Sequence, residues 1–239
     1  MILSLIIPVY NESAKLVKDI LAADRFFQNH AIRGEIIIVD DGSEDNSREQ
    51  ARNSVALVNT PVKVLGEKTH RGKGFAVRTG VLHSRGTIVM FSDSGLCTPF
   101  RYILSGIEHL KKESCDIAHG SRKLPQSIIH RPQSRLRRLI SFAMGLLFKA
   151  LYRIPPLSDT QCGFKLYPGD LARELYAASQ CNGFLFDIEI IMLAHRAGYR
   201  ICEFPIEWTA DPDSRLSPLK SARGIVEELF ELYMRQKKI

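Results

Sequence analysis

The first half of the chain alternates short β-branched and aliphatic runs with stretches of helical spacing, which narrows its folds to very few. Ile2–Ile7 and Glu35–Val39 are continuous apolar runs, as expected of strands covered on both faces. Val62–Leu65, Thr87–Phe91 and Asp116–Ala118 are weaker strand candidates. Between them, Ala14–Phe27, Asp45–Ser54, Gly74–His83 and Pro99–Lys112 carry helical periodicity. Ser13 and Thr98 stand where N-caps belong, and Pro99 suits a first helical turn. This alternation predicts βαβ units, an α/β fold with a Rossmann-like, mostly parallel central sheet, and helices on both faces. Ligands of such sheets bind at the carboxyl ends of the strands. After residue 120 the pattern changes. A long helix is expected over Ser134–Tyr152, ended by Ile154-Pro155-Pro156, with further helices near Asp170–Ala178 and Phe186–Ala197. A strand at Arg200–Phe204 and an amphipathic helix over Ala222–Gln236 follow. The apolar face of that last helix (Ile225, Leu229, Leu232, Tyr233) fits ordinary packing or an oligomer contact with a second copy. With no repeat or low-complexity linker, residues 1–239 read as a single domain.

Hydrophobic residues make up 45% and charged residues 25%, which excludes disorder, collagen and small disulfide scaffolds. The net charge of +7 is concentrated. No acidic residue lies between Asp116 and Asp159, an interval holding Arg122, Lys123, Arg131, Arg135, Arg137, Arg138, Lys149 and Arg153. Removing those eight from the 33 basic residues leaves 25 against 26 acidic ones, so the rest is near neutral. Such a block attracts phosphates on nucleic acid, anionic lipid or a phosphorylated substrate. Nucleic acid is the weakest of these, because no known module surrounds the segment and aromatic stacking positions are sparse. The five cysteines are scattered and odd in number, which predicts a reducing, cytoplasmic setting without a disulfide framework or structural zinc. No signal-peptide pattern or membrane-spanning apolar run is expected.

Four segments fall where strands end: Pro8-Val9-Tyr10-Asn11-Glu12, Asp40-Asp41-Gly42-Ser43, Arg71-Gly72-Lys73-Gly74 and Ser92-Asp93-Ser94-Gly95. Their carboxylates suit a sugar, a base or a divalent cation, although Asp-Asp-Gly-Ser is equally a helix-capping turn. Arg71-Gly72-Lys73-Gly74 lacks the spacer and the Ser/Thr of a Walker loop, and no G-x-G-x-x-G follows the first strand.

In order, I-I-P-V-Y-N-E-S (6–13), I-I-V-D-D-G-S-E-D-N-S (37–47), R-G-K-G-F-A-V-R-T-G (71–80) and F-S-D-S-G-L-C-T-P (91–99) resemble glycosyltransferase family 2, of the GT-A fold. H-G-S-R (119–122), D-T-Q-C-G-F-K (159–165), G-F-L-F-D-I-E-I (183–190) and E-F-P-I-E-W (203–208) are similar to the dolichyl- or polyprenyl-phosphate sugar transferases, the β-glucosyltransferase type above all. The likeness runs from residue 2 to about 215. It implies a nucleotide-sugar-binding half (1–120), an acceptor half (121–215) and a C-terminal helix (216–239). It further implies that Pro8, Tyr10, Glu12, Val39 and Asp41 hold the nucleotide of a UDP- or GDP-linked donor. Arg122, Arg137 and Arg215 match positions that handle phosphate, a role suited to the planar guanidinium fork. For Arg137 and Arg138 a solvated helix face is the plain alternative.

Members of the family carry Asp-x-Asp after the fourth strand, whose carboxylates help hold Mg²⁺ or Mn²⁺ against the donor diphosphate. Here Asp93 is present, Gly95 stands at the second position, and Cys97 replaces an oxygen ligand of some relatives. A hard cation wants oxygen, which neither side chain offers. Three arrangements remain open: a metal held by Asp93, diphosphate and water; basic residues replacing part of the metal's charge; or a pseudo-glycosyltransferase that binds donor and regulates or scaffolds a membrane-protein partner. The active reading is inverting transfer of a hexose, glucose or mannose, to polyprenyl or dolichyl phosphate, whose attacking oxygen is already ionised. Asp159 is a candidate catalytic carboxylate near the acceptor, or simply a turn or cap residue. Residues 135–149, apolar between cations, suit a helix at the cytoplasmic membrane surface or a core helix with one basic face.

Overall fold

The computed structural model describes residues 2–112, 114–132, 155–211 and 218–236. In chain order these form β1 (Ile2–Val9), α1 (Ser13–Asn29), β2 (Arg33–Asp41), α2 (Ser47–Ser54), β3 (Val62–Glu67), α3 (Lys73–Leu82), β4 (Ile88–Ser92) and α4 (Tyr102–Leu110). Then come β5 (Ile117–Ser121), β6 (Ile128–Arg131), β7 (Phe164–Pro168), α5 (Gly169–Ala178), α6 (Phe186–Arg196), β8 (Ile201–Pro205), β9 (Glu207–Thr209) and α7 (Pro218–Gln236).

Seven strands make one sheet in the order β3-β2-β1-β4-β7-β5-β8, parallel except for β7, which runs antiparallel to both neighbours. The continuous apolar runs are explained by burial on both faces. Leu3, Leu5 and Ile7 of β1 join Ile36 and Ile38 of β2 beneath α1 and α4, with Leu16, Ile20, Phe27 and Ile103. Ile6, Ile37 and Val39 point the other way, against Val77 and Val81 of α3 and Tyr176 of α5. Successive strand residues alternate faces, so a run buried on both sides is apolar nearly throughout; Ser4, the polar residue of β1, is buried with its hydroxyl donated to Glu35 at 2.6 Å. Because β5 and β4 both oppose β7, the carboxyl ends of β1 to β5 and of β8 share one edge with the amino end of β7. A small parallel pair, β6 with β9, lies beyond it.

Several expectations need correction. Strands β6, β7 and β9 carry no alternating signal, and β7 contains Lys165, fully buried because its ammonium pairs with Asp187 and donates to the Thr160 carbonyl at 2.9 Å. Ser13 and Thr98 are not side-chain caps. The backbone N–H of Ser13 donates instead to Asp45 Oδ2 at 3.1 Å, and α4 starts only at Tyr102. Cys115 and Cys202 form a disulfide, their Cα atoms 5.6 Å apart. They lie 87 positions apart in sequence, and the β5–β8 pairing brings them together. The last helix begins at Pro218, and its Leu232 packs into the core with Leu229 and Tyr233 against it. The helix expected over 134–152 lies outside the described residues.

Candidate functional site

The loops after β1 and β2 are one hydrogen-bonded unit. Asn11, at φ +55°, accepts the Glu44 N–H on its side-chain oxygen at 2.8 Å, and its own N–H donates to Ser43 Oγ at 2.9 Å. Asp40 is occupied by Arg48 Nε at 2.8 Å. Asp41 is buried and accepts the backbone N–H groups of Arg71 (2.9 Å) and Gly72 (2.7 Å), with His70 Nδ1 2.8 Å away. Burial outweighs these bonds and raises its carboxyl above the ordinary range. The His70 ring stacks on Tyr10 with centroids 3.9 Å apart. Tyr10 and Asp41, both expected at the nucleotide, therefore clasp an imidazole. Pro8 and Val39 are partners in the β1–β2 register next to them. Glu12 is ion-paired with Lys15.

The loop after β3 carries the R-G-K-G run. Gly72 sits at φ +111°, and a Cβ there would collide with the Asn182 carbonyl. The first N–H groups of α3 are spent on backbone, Gly74 donating to Gly183 at 3.1 Å and Phe75 to Asn182 at 3.0 Å. The helix end is thus no open phosphate cradle. Lys73 instead turns to β4, its ammonium 2.6 Å from Asp93 Oδ1 and 5.9 Å from the Phe91 and Phe186 ring centres. Burial alone would lower its pKa, but Asp93 and Asp187 outweigh that and keep it charged. Asp93 is anchored through its N–H to the Gly163 carbonyl at 3.1 Å, and a Cβ on Gly163 would overlap its carboxylate. The Gly163 side of the motif is therefore the hollow in which Asp93 lies.

Gly95 adopts φ +94°, and its N–H donates to the buried Asp19 at 2.9 Å. Burial, with Asp93 and Asp211 adding negative charge, pushes the Cys97 thiol up to about 12. Among the described residues no group of three His, Cys, Asp or Glu is placed to hold a metal on its own. What the site offers is a partly exposed Asp93 carboxylate, a hard oxygen donor, with an ammonium already on it as a stand-in cation. This fits Mg²⁺ or Mn²⁺, which are held by one or two carboxylates together with substrate phosphates.

Across β7, Arg122 leaves β5 and forms a bidentate pair with Asp159, at 2.6 and 2.8 Å, under the Trp208 ring. Burial opposes both charges, but the pair prevails, raising the Arg122 pKa and holding Asp159 below the carboxylate range. Asp159 is buried, with its N–H donated to Glu203 at 2.8 Å. Two residues expected in separate roles thus meet each other. Arg137 and Arg215 lie outside the described residues. Reading the sequence missed Lys15, His70 and Asp211, and left Lys73 and Gly163 without a role; those two, inside quoted motifs, carried a signal.

Residues 4–173 match the family described as Glycosyl transferase family 2. A dolichyl-phosphate beta-glucosyltransferase of Dictyostelium discoideum is 30% identical over 98% of this chain and 74% of its own length. Its counterpart in Drosophila melanogaster is 31% identical over the same shares. Glucosyl-3-phosphoglycerate synthase of Mycobacterium tuberculosis, solved with Mn²⁺, UDP and glucosyl-3-phosphoglycerate, superposes with a TM-score of 0.72 at 19% identity, covering 96% of this chain and 79% of that one. Mannosyl-3-phosphoglycerate synthase of Rubrobacter xylanophilus gives 0.73 at 16% identity, covering 100% and 76%. These two share the fold.

Proposed function

The chain belongs to glycosyl transferase family 2, and we propose that it transfers a hexose, glucose first, from a nucleotide sugar to a polyprenyl or dolichyl phosphate. The observation that carries this reading is the Lys73–Asp93 pair at the strand-end edge, between the Tyr10–Asp41 loops and Arg122. Tyr10 offers a stacking face, and Asp41 and Glu12 accept hydrogen bonds from base or ribose once His70 has turned away. An acceptor phosphate oxygen forms a bond to the anomeric carbon. The bond from that carbon to the donor diphosphate breaks, and the nucleoside diphosphate leaves with the electron pair. The acceptor has no proton to lose, so no general base is required. Single displacement inverts the anomeric centre.

Lys73 and Arg122 stand where the leaving charge develops, and fixed cations in a partly buried site stabilise it without reorganising. Asp159 acts through Arg122, fixing the plane of its guanidinium. Asp93 would hold Mg²⁺ or Mn²⁺, which when bound would supply positive charge to the diphosphate. Arg137 and Arg215 complete the phosphate contacts, and residues 135–149 bring the chain to the cytoplasmic membrane surface that holds the acceptor. Among the described residues no helix is long and apolar enough to cross a membrane.

Purified chain with Mn²⁺, a polyprenyl phosphate and a panel of UDP- and GDP-sugars should yield one glycosyl lipid phosphate by mass spectrometry. Asp93→Asn should abolish it. Absence of any glycosylated lipid across the panel overturns the reading.

A further inference from the structure

The loop that lacks its second aspartate has a carboxylate beside it from another part of the chain. A Cβ on Gly95 would stand 3.5 Å from Asp211 Oδ2 and 3.6 Å from its Cγ, little more than a covalent bond beyond the reach of an aspartate's own oxygens. At φ +94° residue 95 strains any side chain, so this loop is shaped for glycine and the missing oxygen has to come from outside it. Asp211 is held there by several ties. The Thr209 N–H donates to the Cys97 carbonyl at 2.9 Å, and the Ala210 N–H to the Arg131 carbonyl at 3.0 Å. Glu207 of the same strand is clamped by Arg101 at 2.6 Å, Tyr102 at 3.1 Å and His130 at 3.0 Å. Lys15 bridges Asp211 and Glu12, placing an ammonium between two carboxylates next to the Gly95 gap. A cation is therefore already accommodated there.

We propose that Asp211 supplies the carboxylate oxygen that Gly95 lacks, so that the divalent cation of the donor diphosphate is held by Asp93 from the first half of the chain and Asp211 from the second. The proposal rests on the sugar-transfer reading above. Metal entry displaces the Lys15 ammonium from Asp211, and Lys15 keeps Glu12 as its partner. Two carboxylates plus phosphate oxygens and water satisfy a hard cation without Cys97.

The test titrates Mn²⁺ into the full chain with inorganic pyrophosphate, which is blind to base and sugar, and follows the free-ion EPR signal. Asp211→Asn should weaken Mn²⁺ at least tenfold, Asp211→Glu far less, and Lys15→Met should tighten it by removing the competing ammonium. Lys15→Met that instead abolishes pyrophosphate binding overturns the proposal in favour of Lys15 as the neutralising charge. Unchanged Mn²⁺ affinity in Asp211→Asn overturns it as well. A second measurement needs no variant: Fe²⁺ with ascorbate should cut the wild-type backbone both near Asp93 and near Asp211, and cutting near Asp93 alone refutes the shared site. A wild-type chain that binds Mn²⁺ and pyrophosphate through Asp211 yet glycosylates no lipid phosphate would fail the functional reading and leave this one standing.

Discussion

Tyr10, Glu12 and Asp41 leave two adjacent parallel strands, and a single hydrogen-bonded loop pair holds them. On the phosphate side, Lys73, Asp93, Gly163 and Arg122 come from four separate stretches, joined only because β7 runs backwards between β4 and β5. The nucleotide side is built by local sequence, the phosphate side by topology. The second is accordingly fastened by an ion pair buried on both partners, whereas the buried Asp40 and Asp41 of the first pair with the partly exposed Arg48 and His70. Lys165 and Asp187, both buried, sit beneath Lys73 and tie β7 to α6. Breaking one half of a buried pair leaves an uncompensated charge and costs about 3–5 kcal/mol. Lys165→Met should therefore lower urea-unfolding stability by that amount, the largest effect expected here. A loss within about 0.5 kcal/mol, the size of an ordinary surface substitution, would break the contrast between the two sides.

Gly163→Ala probes the same side without removing any of its charges. The added methyl overlaps the Asp93 carboxylate, which must move. A displacement of about 1 Å at the reacting centre costs roughly a hundredfold in rate. Turnover should fall by about that factor while the unfolding midpoint stays near wild type, because the clash is with the end of a side chain. An unchanged kcat would mean that the position of Asp93 is not what limits transfer.

This division also explains what could be read from the chain. Strands β1 and β2, their loops and helices α1, α2 and α3 follow from period and turn chemistry, since each depends on neighbours in sequence. Strand β7 was hidden because Lys165 interrupts its apolar pattern, and nothing nearby announces that Asp187, on a helix downstream, will neutralise it. The Cys115–Cys202 bond and the approach of Asp211 to Gly95 have the same cause: partners far apart in sequence that only the completed sheet makes neighbours. His70 was missed for a different reason. It neighbours a recognised motif, but its stacking on Tyr10 depends on how the β3 loop folds back over β1.

Acid should separate the two sides by sign. The Asp159 carboxyl is held below its ordinary 3.8, since Arg122 outweighs the burial that opposes ionisation. Its contribution is complete above 3.8 and disappears as the pH falls through the lower folded value. For Asp41 burial wins and the folded value lies above 3.8, so the fold gains stability from its protonation as the pH falls toward 3.8. In stability curves followed down through this range, Asp159→Asn should be less acid-sensitive than wild type, and Asp41→Asn more so. Two variants that shift the curve in the same direction would remove the electrostatic part of the comparison.

The smallest expected effect concerns the nucleotide side alone. His70 covers the Tyr10 face and contacts Asp41, the two groups proposed for the base, so a nucleotide that stacks on Tyr10 has to displace it. Ring stacking of this kind contributes about 0.5–1.5 kcal/mol beyond area burial. Removing the imidazole should return that cost to the ligand, so His70→Ala should tighten uridine or guanosine diphosphate by roughly two- to tenfold in calorimetry, 1.4 kcal/mol being a factor of ten. Binding of pyrophosphate alone should not change, because the contacts of His70 among the described residues are with Tyr10 and Asp41 and not with Asp93. Weaker nucleotide binding in His70→Ala would reverse the assignment and make the imidazole part of the base pocket, stacking with the ligand instead of yielding to it. The nucleotide side would then be as dependent on a distant loop as the phosphate side, and the contrast between local and topological construction would have to be given up.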